Sequence, residues 1–436
     1  MRPIRDGPGL TAADLHFPEG YLSLLKDRLV ANSRLSRAAV EFTLDRFIIT
    51  RNVNVREWRK RYETDLLAAE DAEPARRLST KVLADVVEAL IGAAFVDGGI
   101  QKALRCISVF LTEMDWRPLA AGRAVLFDAA PAAVRLPSTL EPLEALLGYT
   151  FTKKSLLVEA VTHSSYNAPG PVAPLERLEF LGDAVLDYLV VTRLFAADPP
   201  LAHFDMHLLR TALVNGDFLA FLALEWSAHV PVFEAVLPAG GRPVALVESE
   251  ARTPLWRFLR YSSPELGVEG RAAEDRHAAG RGEVAEALRG GESYPWAALA
   301  RLRAPKFLSD AVEALLGAVW VDSGSFEACA ALAGRLGVLP FLERALRDGV
   351  RVLHPKEELG RLADREPVRY AVAEAPLEGG DREFVCSVFV GERMVARVGG
   401  GVSREEAKTR AATEAVEVLR EEREGGTADG AGMDGG

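Results

Sequence analysis

Apolar residues recur at three- and four-residue spacing through most of the first 350 positions, so the chain predicts helices before anything else. The stretches GYLSLLKDRLVANSRLSRAAVEFTLDRF and STKVLADVVEALIGAAF place them between residues 20 and 116. The pattern stops in RPLAAGRAVLFDAAPAAVRLPST (117–139), whose prolines and alanines read as a linker. It resumes at LEPLEALLGYTF and pauses over a Gly- and charge-rich stretch, about 238–292, that reads as a partly ordered insertion. It returns through ARLRAPKFLSDAVEALLGAVW and ALAGRLGVLPFLERAL. From residue 352 the period changes. A short helix (KEELGRLADRE) leads to three runs that alternate with period two, RYAVAEA, EFVCSVFVG and RMVARVGGG, and an amphipathic helix, SREEAKTRAATEAVEVLRE, follows. The expected α-β-β-β-α order spans 352–424, and GGTADGAGMDGG (425–436) reads as a disordered tail.

Two of the helical stretches are copies. Residues 81–99, KVLADVVEALIGAAFVDGG, and 306–324, KFLSDAVEALLGAVWVDSG, agree at twelve of nineteen positions with a constant offset of 225. Each carries a lysine, an aspartate four residues on and a glutamate three further: Lys81, Asp85 and Glu88, then Lys306, Asp310 and Glu313. Helical periodicity puts each set on one face. Upstream of the second copy alone stands another acidic helix, LERLEFLGDAVLDYLVV (175–191), with Glu176, Glu179 and Asp183 along one side.

These acids lie among leucines and valines, so their helices should be buried. Buried carboxylates need a compensating partner. Two like charges about 4 Å apart repel by roughly 1 kcal/mol in water and about 4 at an effective dielectric near 20. Facing Glu179 and Asp183 with Asp310 and Glu313 would worsen this, and a divalent cation relieves it. Magnesium takes hard carboxylate oxygens together with waters and phosphate oxygens, and manganese can substitute. Such a centre suits in-line displacement at a phosphodiester. The rival reading, a structural network of ion pairs, accounts poorly for two apolar helices each with a one-faced acid set. Gly92, Gly182 and Gly317 are expected to allow close helix packing.

Composition narrows the partners. A 436-residue chain with 49% hydrophobic residues can bury several cores. No apolar run reaches the roughly 20 residues of a membrane span, so no membrane partner is expected. The N-terminal residues lack the apolar core of a secretory signal, and three scattered cysteines form no disulfide framework or zinc site. An intracellular setting is expected, with cytoplasm and nucleus both open. A net charge of −11 argues against holding nucleic acid by bulk attraction.

LERLEFLGDAVL resembles the ribonuclease III signature, LGYTFTKKSLLVEAVTHSSYN (147–167) is similar to that family's domain opening, and PKFLSDAVEALLGAVWVDSG to its second acidic segment. Tandem domains followed by an α-β-β-β-α module resemble the C-terminal half of Dicer. MHLLRTALVN and YPWAALARLRAPKF look most like fungal Dicer-like proteins of the second, antiviral type. The resemblance implies a mainly α fold of tandem all-helical ribonuclease III domains and a double-stranded-RNA-binding-like module. It implies a partial first domain at 1–116, a complete second domain at 140–348 and the module at 352–424. It assigns Glu179, Asp183, Asp310 and Glu313 as metal-binding catalytic carboxylates, and Glu176 to RNA contact and domain pairing. Lys306 matches a lysine beside the reacting phosphate, or forms an ion pair with Asp310; both can hold. An accessory family acid is replaced by His203, and His163 is expected to be a hydrogen-bonded core residue. The implied activity is cleavage of double-stranded RNA to 5′-phosphate and 3′-hydroxyl ends, yielding small interfering RNAs in silencing and antiviral defence.

The segment GYLSLLKDRLVAN aligns with FDMHLLRTALVNG, and Asp183 precedes Leu213 by 30 residues. The same spacing puts the first domain's signature aspartate before Met1. Asp85 and Glu88 are therefore expected to be an inactive half-site, with Glu19 matching the accessory acid. The chain reads either as a fragment of a longer Dicer-like protein or as a natural short form. Pairing of the two domains within the chain, or of second domains in a homodimer, would complete a nuclease. The module carries eleven Lys/Arg against thirteen Asp/Glu over 352–420, and Glu405 stands where the family places a lysine. Arg404, Lys408 and Arg410 are its candidate RNA contacts, with weak binding expected and a packing role as the alternative. Two rival functions remain: a catalytically impaired RNA-binding or scaffold fragment, and a helical nucleotide pyrophosphatase, which explains neither the module nor the duplication.

Overall fold

The computed structural model describes residues 19–49, 78–167, 170, 172–236, 245–376 and 382–430. Contacts divide the chain into two units, 1–129 and 130–436. Among the described residues no single helix is long and apolar enough to cross a membrane.

In the first unit α1 (Glu19–Val30), α2 (Asn32–Glu41), α3 (Thr80–Phe110) and α4 (Leu119–Ala129) are described. Ser79 starts α3 by accepting a hydrogen bond from the Val82 amide at 3.2 Å, a capping choice that satisfies one free end N–H. Leu35, Ala38 and Ala39 of α2 pack on Leu83, Ala84, Val87 and Phe110 of α3. Gly98 and Gly99 break α3, Gly99 with φ 69°. In the second copy the equivalent Gly324, φ 68°, ends the helix outright. The stretch 117–139 is not the plain linker its prolines and alanines suggested, because α4 folds inside it. Alanine, four of its eleven residues, is the best helix former.

The second unit continues with α5 (Glu141–Leu147), α6 (Lys154–Ala160), α7 (Glu176–Phe195), α8 (His203–Leu213) and α9 (Gly216–Glu225). An antiparallel pair, β1 (Ser227–Val236) and β2 (Ala245–Pro254), precedes α10 (Pro264–Gly290) and α11 (Trp296–Arg301). Then come α12 (Phe307–Ser323), α13 (Phe326–Leu336) and α14 (Val338–Asp348). α12 is the axis of this unit, with Leu308, Val312, Leu315, Leu316 and Val319 all fully buried. α7 was expected to be buried all round. It is covered on one side only, and Val191 and Phe195 near its end are exposed.

The stretch read as a partly ordered insertion is, over its described part, regular structure that joins the core. Leu255 and Trp256 are buried, and α10 presents Gly270 to the indole: a Cβ there would lie 2.4 Å from Trp256. That glycine is a socket, not a breaker. Arg260 from the same stretch clasps the loop after α6. Its amide donates to Val161 O at 2.7 Å, its carbonyl accepts from His163 N at 2.9 Å, and its guanidinium donates to the Tyr166 hydroxyl at 2.7 Å. Residues 238–244 of this stretch lie outside the described residues.

The module forms as α15 (Pro355–Leu362), the antiparallel sheet β3 (Val368–Pro376), β4 (Arg382–Val390) and β5 (Arg393–Gly401), and α16 (Arg404–Gly430). Ala407, Ala411 and Ala415, spaced one helical turn apart, bring α16 close to Cys386, Val388 and Val398 of the sheet. The segment 349–354 runs beside 292–296: Tyr294 N donates to Arg351 O at 2.8 Å, and Trp296 Nε1 to Val352 O at 3.1 Å. Arg361 of α15 lies over the Phe204 ring of α8 at 4.2 Å. The backbone of α16 runs to Gly430, so the expected tail begins helical; 431–436 lie outside the described residues. The three cysteines are free thiols.

Candidate metal centre

Two glycines set the distance between α7 and α12. A Cβ on Gly182 would lie 1.7 Å from Glu313 O, and one on Gly317 would lie 2.2 Å from Leu178 O. The helices therefore touch backbone to backbone, as expected of Gly182 and Gly317. The acids that flank the crossing are brought together by it. Ligand oxygens of Glu179, Asp310 and Glu313 all lie within 4.8 Å of one another. Asp183, one turn along from Glu179, adds its charge to Glu313.

The single base among them is Lys306, at the start of α12. Its Nζ donates to Glu179 Oε1 at 2.5 Å and to Asp310 Oδ1 at 2.6 Å. Ser309 Oγ donates to Lys306 O at 2.8 Å and stands 3.4 Å from Asp310 Oδ1. Burial and the charges of Asp183, Asp310 and Glu179 push the Glu313 carboxyl up to about 8, with Lys306 opposing. Burial also raises Asp310, against its bonds to Lys306. Burial works against the Lys306 ammonium too, but its bonds to Asp310 and Glu179 prevail and hold it above the ordinary lysine range. Glu179, Asp310 and Glu313 thus share one ammonium, and the donors are all hard oxygens. That set fits a divalent cation of the magnesium or manganese kind.

The first repeat looks different. Lys81 Nζ pairs with Asp85 at 2.8 Å, but Asp85 and Glu88 are exposed, and among the described residues no other metal-ligating group joins them. A Cβ on Gly92 meets nothing within 4 Å among the described residues, unlike Gly317. Glu19 in α1 accepts from Ser23 Oγ at 2.5 Å.

Other expected residues fall elsewhere. Glu176 opens α7 with its Oε2 buried and, among the described residues, without a hydrogen-bond partner. His163 is hydrogen-bonded, its Nδ1 accepting from Ser165 N at 3.0 Å, but it lies half-buried in a loop and not in the core. His203 begins α8. In the module Arg404 pairs with Glu374 at 2.5 Å, and Arg410 with Glu406 at 3.2 Å. Among the described residues Lys408 forms no ion pair. Lys356 pairs closely with Glu405.

Two residues escaped the sequence reading. Arg210 on α8 grips Asp187, its Nε donating to Oδ1 at 2.9 Å, and Asp183 also acts on its charge. The available signal was that Asp187 follows Asp183 by one helical turn. Asp322, at the end of the repeat, is 4% exposed and accepts from Tyr149 Oη, Thr152 N and Lys153 N at 2.7, 2.8 and 2.9 Å. It clamps the loop ahead of α6 onto α12.

A family model described as the ribonuclease III domain matches residues 10–99 and 176–324. One described as the Dicer-like protein 2 dsRNA binding domain matches 348–432. The chain is 51% identical over 440 residues to Dicer-like protein 2 of Pyricularia oryzae, covering 96% of this chain and 29% of that protein. For Dicer-like protein 2 of Cryphonectria parasitica the identity is 50% over 430 residues, with 94% and 30% covered. The chain thus spans under a third of the length of these curated relatives. A solved nuclease domain of ribonuclease III from Campylobacter jejuni is 31% identical, covers 45% of this chain and 94% of its own, and has a TM-score of 0.28.

Proposed function

This chain belongs to the ribonuclease III family, and on that premise we propose that α7 and α12 of its second unit form the active site of an endoribonuclease that cuts double-stranded RNA. The observation that carries the reading is the convergence of Glu179, Asp310 and Glu313 within 4.8 Å across a glycine-to-glycine helix crossing. Nuclease domains of this family depend on a divalent metal. Magnesium is the proposed ion, with manganese as a substitute, and Glu179, Asp183, Asp310 and Glu313 would hold it. When bound it supplies charge neutralisation at the phosphodiester and acidifies water. The helices hold their acids rigid through the backbone contact, so the site is preorganised. Water adds to phosphorus and the bond to the 3′ oxygen breaks, leaving a 5′-phosphate and a 3′-hydroxyl.

One complete acid set serves one strand. Cutting both strands would need a second set, which a second copy of this chain would bring; pairing of the two units within the chain is the other arrangement proposed, and it would nick one strand. The module match supports duplex RNA as the partner, and the relatives support production of small silencing RNAs by the longer protein. The test is cleavage of end-labelled duplex RNA with magnesium. Wild type and Asp85→Asn/Glu88→Gln should cut alike, and Glu313→Gln should lose at least about a hundredfold. Undiminished cutting by Glu313→Gln would overturn the assignment.

A further inference from the structure

Lys306 stands against the same carboxylates that are proposed to hold the metal. Its Nζ is 2.5 Å from Glu179 and 2.6 Å from Asp310, and both acids belong to the converging trio. A magnesium ion at its usual distance of roughly 2.1 Å from those carboxylates would crowd an ammonium still bonded to them. Two positive charges in contact repel, most strongly where water is scarce. Glu179 and Asp310 are each only 14% exposed along their side chains, so that penalty is weakly screened.

Its hydrogen bonds and charge pairing with Glu179 and Asp310 hold the lysine there. Its side chain is 74% exposed, so leaving the carboxylates costs little packing. The first repeat provides a natural comparison: Lys81 pairs with Asp85 at 2.8 Å on an exposed face, with no facing glutamate among the described residues. The Lys–Asp pair is thus built into the repeat, and the bond to Glu179 is what the complete site adds.

We propose that Lys306 is an exchangeable counter-ion, which balances Glu179 and Asp310 in the metal-free site and is displaced toward solvent when a divalent cation enters. The inference rests on the metal-site reading and adds a direct competition between ammonium and metal. Displacement leaves the ammonium on the exposed side of the site. The lysine then serves two states of the same site in turn.

The test measures Mn2+ binding to the full chain by titration calorimetry and by the electron paramagnetic resonance of free Mn2+, without RNA. Lys306→Met removes the competitor and keeps the length of the side chain, so Mn2+ should bind at least about tenfold more tightly than to wild type. Lys306→Arg keeps the charge and should stay near the wild-type affinity. The gain in melting temperature on adding Mn2+ should also be larger for Lys306→Met, a readout that reports folding of the variant as well. Equal or weaker binding by a folded Lys306→Met overturns the exchange while leaving the metal site standing. If wild type and Lys306→Met both fail to bind Mn2+, the metal-site reading itself fails and the exchange with it.

Discussion

A methyl group on Gly182 would sit 1.7 Å from the carbonyl oxygen of Glu313, so α7 and α12 approach as closely as two helix backbones can. Backbone cannot rotate aside as a side chain does. Gly182→Ala should therefore push the helices apart and cost stability at the upper end of the roughly 1–3 kcal/mol typical of overpacking. A shift of about 1 Å in catalytic groups can lower the rate by around a hundredfold, and RNA cleavage should fall by at least that much. Gly92 occupies the repeat position of Gly317, the other glycine of that crossing, but a Cβ on it meets no described atom within 4 Å. Gly92→Ala should be neutral or stabilising by up to about 1 kcal/mol, since alanine favours helix. Thermal unfolding of the two variants checks the contrast.

Asp322 and Asp97 make a similar pair. Asp322 accepts three hydrogen bonds while 4% exposed, whereas the Asp97 side chain is 72% exposed and pairs with Lys102 at 2.5 Å. Asp322→Ala strands two backbone amides and a tyrosine hydroxyl, and should cost about 2–4 kcal/mol. Asp97→Ala should change stability by no more than about 0.5 kcal/mol. Denaturant unfolding measures both, and a mild Asp322→Ala would show that the loop ahead of α6 is not clamped from α12.

The Glu313 carboxyl predicts how metal binding follows pH. Burial and three neighbouring acids raise it from 4.5 to about 8. A group raised on folding favours its protonated form in the native state. Its stabilising contribution is complete below 4.5 and is lost as pH climbs through about 8. Metal-free protein should lose stability over that window. A divalent cation competes with this proton, so Mn2+ affinity should rise with pH and level off above about 8. Glu313→Gln should remove the rise. An affinity flat between about pH 6 and 9 in the wild type would refute this account.

The acidic cluster was legible because its physics is local: acids on one face of an apolar helix conflict with burial unless something compensates them. The duplicated Lys306-Asp310-Glu313 spacing repeated that conflict, and helical periodicity resolved which residues share a face. The period-two runs likewise announced β3, β4 and β5. What stayed hidden depends on partners distant in sequence. Gly270 looks like a helix breaker until Trp256 is seen against it, and α10 therefore read as part of a partly ordered insertion. Asp322 looks like one more surface acid until residues 149–153 fold over it. Arg210 gives no local hint that it grips Asp187 across two helices. Electrostatic partners of this kind are chosen by tertiary structure.

The start of α16 carries the last prediction. Glu406 is fully buried, accepting from Val402 N at 3.0 Å while its own amide donates to Ser403 Oγ at 3.1 Å, so it belongs to the helix cap. Glu405 is exposed and pairs with Lys356, and Arg404 is taken by Glu374 at 2.5 Å. Of the candidate contacts, Arg404 and Arg410 are thus paired with acids within the module, while among the described residues Lys408 forms no ion pair. Glu405→Lys reverses one acidic charge and releases Lys356. Because phosphate contacts dominate affinity and its salt dependence, duplex RNA should bind more tightly, with a salt slope steeper by about 1–2. The pair is exposed, so stability should move by less than about 1 kcal/mol. Fluorescence anisotropy with labelled duplex in a Glu313→Gln background, over a range of salt concentrations, separates binding from cleavage. Unchanged affinity and slope would mean that this face of the module does not meet RNA, and that its contacts with α8 and α11 are its principal role in the chain.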